Sequence, residues 1–240
     1  MECSCVKGFN PITKFNKTLL MKLKYNLLLL YILLGITAFA QSEKFGTYYN
    51  QRRTLFEQLP DTKKEIIFLG NSITDGGEWI ELFKNRRCKN RGISGDVTEG
   101  VLFRLDEVTS SKPAKVFLLI GINDLARGIS KDTVFANICK IAENIHSASP
   151  KTKIYIQSIF PVNASFGKFE KHVDKGGEVI FINTELSKWC TENDFSYVDL
   201  YSHLVTPGTD LLNPEYTNDG LHLLGAGYLK WAEVVKPLLK

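Results

Sequence analysis

Cysteine and histidine are both scarce in this chain of 240 residues. Of five cysteines, Cys3 and Cys5 lie near the N-terminus, and Cys88, Cys139 and Cys190 are scattered through the rest. No two have zinc-ligand spacing, and an odd number at irregular intervals is not a disulfide framework. One disulfide is compatible with an oxidising compartment, but three buried thiols are the simpler expectation. The four histidines are equally dispersed. His146 lies beside the apolar stripe of an expected helix, His172 in a lysine-rich stretch and His203 after an expected strand. None of them has a partner at metal-ligand spacing, so no metal site and no cofactor are expected. The glycines lack the Gly-Lys-Ser/Thr of a phosphate-binding loop. No internal repeat or low-complexity tract is present.

Net charge is missing from the body of the chain. Residues 1–40 hold five lysines and one glutamate, which accounts for the whole formal charge of +4; the rest carries 25 basic and 25 acidic side chains. A neutral body has no electrostatic footprint for nucleic acid. Also absent is an apolar run of the ~20 residues that span a bilayer, so no stable membrane insertion is expected. The leader instead has the pattern of a secretory signal. Lys22 and Lys24 form a positive start, 27–36 an apolar stretch, and Ala38-Phe39-Ala40 a small-x-small cleavage pattern. Export to the periplasm or the extracellular space is the expectation. Met21 directly precedes that signal, so residues 1–20 read as an over-long start. Residues 41–240 are then expected to form one domain.

What is present is a regular alternation. Short apolar segments at 65–70, 88–93, 115–121, 153–160 and 195–200 are expected strands. Between and around them, 48–59, 78–83, 98–108, 133–148, 178–189 and 226–239 have helical spacing, with Asp132 a candidate N-cap. Strand–helix alternation predicts a parallel sheet covered on both faces. Right-handed crossovers then bring every strand's carboxyl end to one rim, where ligands bind. The longest stretch without periodicity, 160–177, is a candidate functional loop.

The rim holds reactive side chains. Ser72 follows the first strand in Gly70-Asn71-Ser72-Ile73-Thr74. Asp219 and His222 stand three positions apart, just before the last helix. A serine hydroxyl needs a base to become a nucleophile; an imidazole can serve, with a carboxylate fixing its tautomer. Ester cleavage also needs donors for a tetrahedral oxyanion. Gly92 and Gly95 in Arg91-Gly92-Ile93-Ser94-Gly95-Asp96 offer backbone N–H groups, and Asn123 in Gly121-Ile122-Asn123-Asp124 offers a side-chain amide. Asp75 and Asp199 are rival carboxylates. Thr74 stands where a Gly-x-Ser-x-Gly elbow requires glycine, which separates the chain from the α/β-hydrolases. Trp79, Trp189 and Trp231 read as core residues rather than sugar platforms.

Four blocks in this order, Gly-Asn-Ser-Ile-Thr, Asn-Arg-Gly-Ile-Ser-Gly-Asp, Gly-Ile-Asn-Asp and Asp-Gly-Leu-His, resemble the SGNH or GDSL esterase/lipase family from residue 65 to the C-terminus. One departure is the family's Gly-Asp-Ser, which reads Gly-Asn-Ser here. The resemblance implies a flavodoxin-like three-layer α/β/α sandwich with a five-stranded parallel sheet. It implies Ser72 as nucleophile, His222 as base and then acid, and Asp219 as the group orienting His222. The backbone N–H groups of Ser72 and Gly95 and the Asn123 amide would form the oxyanion hole, with Gly92 as the alternative to Gly95. The implied function is hydrolysis of a small-molecule or glycan ester, of the kind cleaved by sialate or xylan O-acetylesterases or by platelet-activating-factor acetylhydrolase. A lysophospholipase or thioesterase, and an inactive glycan-binding module, are the alternatives.

Overall fold

Five of the apolar segments become strands, and all pair in parallel. The structure, a computed structural model, describes residues 19–29 and 45–240. The strands are β1 (Ile66–Gly70), β2 (Cys88–Gly92), β3 (Lys115–Leu119), β4 (Lys153–Gln157) and β5 (Ser196–Val198), in the order β2-β1-β3-β4-β5. The order in which successive strands are added reverses between β1 and β3, so their carboxyl ends open the crevice expected of this order. The principal helices are α1 (Thr47–Gln58), α2 (Thr98–Phe103), α3 (Leu105–Thr109), α4 (Lys131–Ala148), α5 (Gly176–Glu192) and α6 (Gly225–Val235). Of the leader, residues 19–29 are helical and exposed; most of the apolar stretch and the cleavage pattern lie outside the described residues. Among the described residues no helix is long and apolar enough to cross a membrane.

β1 and β3 are buried at every position, as central strands covered on both faces must be. Period two sorts their side chains. Ile67, Leu69, Val116, Leu118, Ile154 and Ile156 pack under α2 to α5 in an aliphatic layer. Ile66, Phe68 and Phe117 face the other way, against Trp79, Trp231 and Val235. That second layer is aromatic: Phe68 stacks on Trp79 at 4.1 Å between centroids, and Trp231 meets Trp79 edge-on at 4.6 Å. Both indole N–H groups find acceptors, Thr74 O at 3.0 Å and Gln157 Oε1 at 2.7 Å, which a buried tryptophan needs. Trp189 stacks on Phe195. The three tryptophans are therefore packing residues, and Cys88, Cys139 and Cys190 are buried free thiols.

Several boundaries differ from the periodic reading. The expected helix 98–108 breaks at Arg104, whose φ of −110° and ψ of 17° separate α2 from α3. The guanidinium there is buried and donates to Asp96, Glu107, Arg91 O and Gly70 O. α4 is capped by Ser130, whose hydroxyl accepts from Thr133 N at 3.2 Å. Asp132 lies inside the first turn, where its charge suits the helix N-terminus without capping it. The last helix passes into a 3-10 turn, Lys236–Leu239; Pro237 has no N–H to continue the α ladder.

Candidate active site

Ser72 opens a single helical turn, Ser72–Asp75, directly after β1. Asn71 caps that turn, its Oδ1 accepting from Ile73 N at 3.1 Å. An aspartate would do the same, so the departure from Gly-Asp-Ser leaves the turn intact. The backbone bonds of the turn begin with Asp75 N on Asn71 O and Gly76 N on Ser72 O. As the first residue of a helical turn, Ser72 has no partner for its own N–H within it.

His222 reaches Ser72 from 150 positions away: its Nε2 lies 3.0 Å from Ser72 Oγ. Its Nδ1 lies 2.8 Å from Asp219 Oδ2. The other carboxylate oxygen of Asp219 accepts from His222 N at 2.7 Å and Leu221 N at 2.9 Å. Burial pushes the Asp219 carboxyl up, but these two N–H groups and the imidazole outweigh it and leave its pKa below the usual value. An ionised Asp219 must accept at Nδ1, so Nδ1 carries a proton and Nε2 is free to accept from Ser72 Oγ. Gly220 makes the local turn possible. Its φ is +82°, and a Cβ there would lie 2.1 Å from Asn163 O. Its own carbonyl accepts from Asn163 N at 2.9 Å.

The rival carboxylates are engaged elsewhere. Asp75 accepts from Tyr48 Oη and from Ser94 N and Oγ. Asp199 accepts from Ser202 N at 3.1 Å.

The donor segments follow β2 and β3 and are bonded to each other. Asn123 Nδ2 donates to Asp96 O at 2.8 Å, and Arg127 Nη2 to Gly95 O at 2.6 Å. Asp124, buried one residue on, accepts from Thr98 N and Oγ1. Behind them the Arg104 guanidinium pairs with Asp96, whose carboxyl burial pushes up to about 6 against the opposing pull of that arginine. Gly95 has φ +81°, a conformation that suits glycine. Gly92 does not share the cleft: its N–H donates to Asn90 Oδ1 at 2.8 Å, and it packs against the Asp75 backbone.

Ser72, Gly95, Asn123 and His222 line one open cleft of about 720 Å³, together with Ser94, Ala126, Arg127, Phe169, Lys171, His172 and Leu221. His172, read from sequence as an ordinary histidine in a lysine-rich stretch, places its Nε2 3.0 Å from Asn123 Oδ1. Phe169, whose ring meets His222 edge-on at 5.0 Å, and Arg127 were likewise given no place at the site. The available signal was the aperiodic stretch 160–177, which carries two of the three. His146 is exposed on α4 and meets Phe195 edge-on at 6.0 Å between centroids. Among the described residues no cluster of histidine, cysteine and carboxylate side chains could hold a metal ion.

This chain holds a hydroxyl, an imidazole and a carboxylate bonded in series on the rim of a parallel α/β sheet, the arrangement that serine hydrolases use. It belongs to the GDSL-like lipase/acylhydrolase family, whose sequence profile matches residues 68–230, and is an esterase of that kind. A GDSL-like lipase from Bacteroides thetaiotaomicron has the same fold, with a TM-score of 0.70 and 29% identity over 80% of this chain and 96% of that one. The human platelet-activating factor acetylhydrolase IB subunit alpha2 is 24% identical, over 80% of this chain and 81% of its own length. An Escherichia coli N-acylneuraminate cytidylyltransferase is 26% identical over 78% of this chain, a match spanning 43% of that protein.

Proposed function

We propose that the chain is a carbohydrate O-acetylesterase, of the sialate or xylan type, working through an acetyl-Ser72 intermediate. Ser72 Oγ attacks the ester carbon as His222 Nε2 takes its proton, and Asp219 steadies the imidazolium. The carbonyl oxygen becomes an oxyanion, for which Ser72 N, Gly95 N and the Asn123 amide are the donors. Collapse of the intermediate breaks the ester C–O bond, and the imidazolium returns its proton to the departing sugar oxygen. Water then repeats the sequence on the acyl-enzyme, releasing acetate and restoring Ser72.

The observation that carries the acetyl preference is how few apolar side chains line the cleft. Of its lining residues only Ala126, Phe169 and Leu221 have apolar side chains. Val162 and Val173, the two valines of the loop, are buried in the core. The apolar cavity beside Ile73, Leu119 and Ile159 holds about 10 Å³, room for about one water and none for an alkyl tail. Two relatives add support, one named for acetyl hydrolysis and one for N-acylneuraminate. The signal-like leader supports an exported enzyme that meets glycans outside the cytoplasm.

p-Nitrophenyl esters from acetyl to decanoyl test the reading, run beside acetylated sialic acid and acetylated xylan with Ser72→Ala as the blank. The expected result is a kcat/KM that is highest for acetyl and falls with chain length. A rise with chain length would transfer the assignment to a lysophospholipase or thioesterase. No turnover of any ester by the folded protein would leave a glycan-binding module.

A further inference from the structure

We propose that His172 is a positioning residue for the Asn123 amide, holding its oxygen so that its nitrogen serves the oxyanion. The inference rests on the reading of Asn123 as an oxyanion donor.

The argument begins at Asp96. Its backbone carbonyl can only accept, and it lies 2.8 Å from one terminal atom of the Asn123 side chain. That atom must therefore be the nitrogen, since two acceptors would repel. The oxygen then faces His172 Nε2 at 3.0 Å, and because an amide oxygen only accepts, Nε2 must carry the proton. The two contacts pin both ends of a buried amide. One N–H of Nδ2 is spent on Asp96 O, and the second is left for the cleft that Asn123 shares with Ser72. Without His172, only one bond would fix the amide plane, and its torsion is soft.

A neutral donor suits this place. Burial holds the His172 ring below its usual pKa, and the neighbouring His222 and Arg127 act in the same direction, opposed by Asp174. The ring can thus give an N–H without setting a second full positive charge beside the imidazolium that forms on His222. The backbone places it well: the turn Glu170–Val173 is anchored by buried Val173, and Phe169 stands edge-on to both His172 and His222.

The test is steady-state kinetics on p-nitrophenyl acetate with His172→Phe and His172→Gln, each alone and combined with Asn123→Ala. His172→Phe keeps a ring against Phe169 but has no N–H to give. It should lower kcat about tenfold, the scale of one lost hydrogen bond, with KM moving by less than about twofold. His172→Gln, whose amide nitrogen reaches near the Nε2 position, should recover most of that loss. In the Asn123→Ala background His172→Phe should cost almost nothing more, because the group it positions is gone. A wild-type kcat for His172→Phe overturns the proposal and leaves the Asn123 assignment standing. An equal loss in both backgrounds also overturns it, since His172 would then act independently. A wild-type kcat for Asn123→Ala alone sinks the donor reading on which the proposal rests, and is told apart by that single variant.

Discussion

Residues 95–98 and 123–127 bring Gly95, Asn123, Ala126 and Arg127 to one part of the cleft around Ser72, and residues 164–172 bring Phe169, Lys171 and His172 to another. In the first, Asp96, Thr98, Asn123 and Asp124 are all buried and cross-linked by hydrogen bonds between segments that lie 26 or 27 positions apart in sequence. In the second, most residues are exposed. Its hydrogen bonds among the described residues are local, apart from that of His172 to Asn123. Phe169 even holds a left-handed φ of 53°, which costs a non-glycine residue on the order of 1 kcal/mol or more. The contrast fits the proposed division of labour. Oxyanion donors must be in place before charge develops, so their cost is met during folding. A segment that covers substrate must admit and release it, and few buried contacts let such a segment open at low cost.

The comparison breaks first if the buried segment proves soft. Arg104→Ala removes the cation that faces Asp96 and Glu107 from a site with no exposure. Breaking a buried pair in this way costs about 3–5 kcal/mol, and urea unfolding should show a loss of that size. A loss below about 1 kcal/mol would mean that water reaches the pair, and that the donors rest on something less rigid. Asn123→Ala comes next, acting on rate rather than stability. Losing one oxyanion donor should lower kcat by roughly a hundredfold or more. Wild-type turnover on p-nitrophenyl acetate would remove Asn123 from the reaction.

The same contrast decides how much could be read from sequence. The convergence of Ser72, Gly95, Asn123, Asp219 and His222 was legible because each sits in a short linear block at a strand's carboxyl end or before the last helix. The parallel sheet does the rest, bringing such ends to one rim. His172 was not legible, because its significance is its contact with Asn123, 49 positions away, and no local pattern encodes how the 160–177 stretch crosses the cleft. Strand ends failed for a related reason. The apolar run 153–160 continues past β4, but pairing stops at Gln157 opposite Val198. Ser158 Oγ then accepts from Leu200 N and Tyr201 N. Ile159 and Phe160 are apolar because they pack, which hydropathy cannot tell from pairing. The break at Arg104 falls inside an unbroken helical period for a similar reason, since its guanidinium is bonded to Asp96 in the loop after β2 and to carbonyls of Gly70 in β1 and Arg91 in β2.

Phe169→Gly is the mildest of these tests and the most direct probe of the second segment. A phenylalanine removed from a closed core costs about 3–5 kcal/mol. Phe169 is 43% exposed and touches mainly the rings of His172 and His222, so little cavity forms when it goes. Glycine also relieves the left-handed strain, while its greater freedom in the unfolded chain costs ~0.4–1 kcal/mol. The gains and losses nearly cancel, and stability should stay within about 0.5 kcal/mol, or ~1–2 °C in Tm for a domain of this size. The effect should appear in substrate binding instead. Ring contacts worth ~0.5–1 kcal/mol would raise KM about two- to fivefold. A fall in stability on the core scale would show that residues 164–172 are held as firmly as the donor segments, and the two parts of the cleft would then share one design.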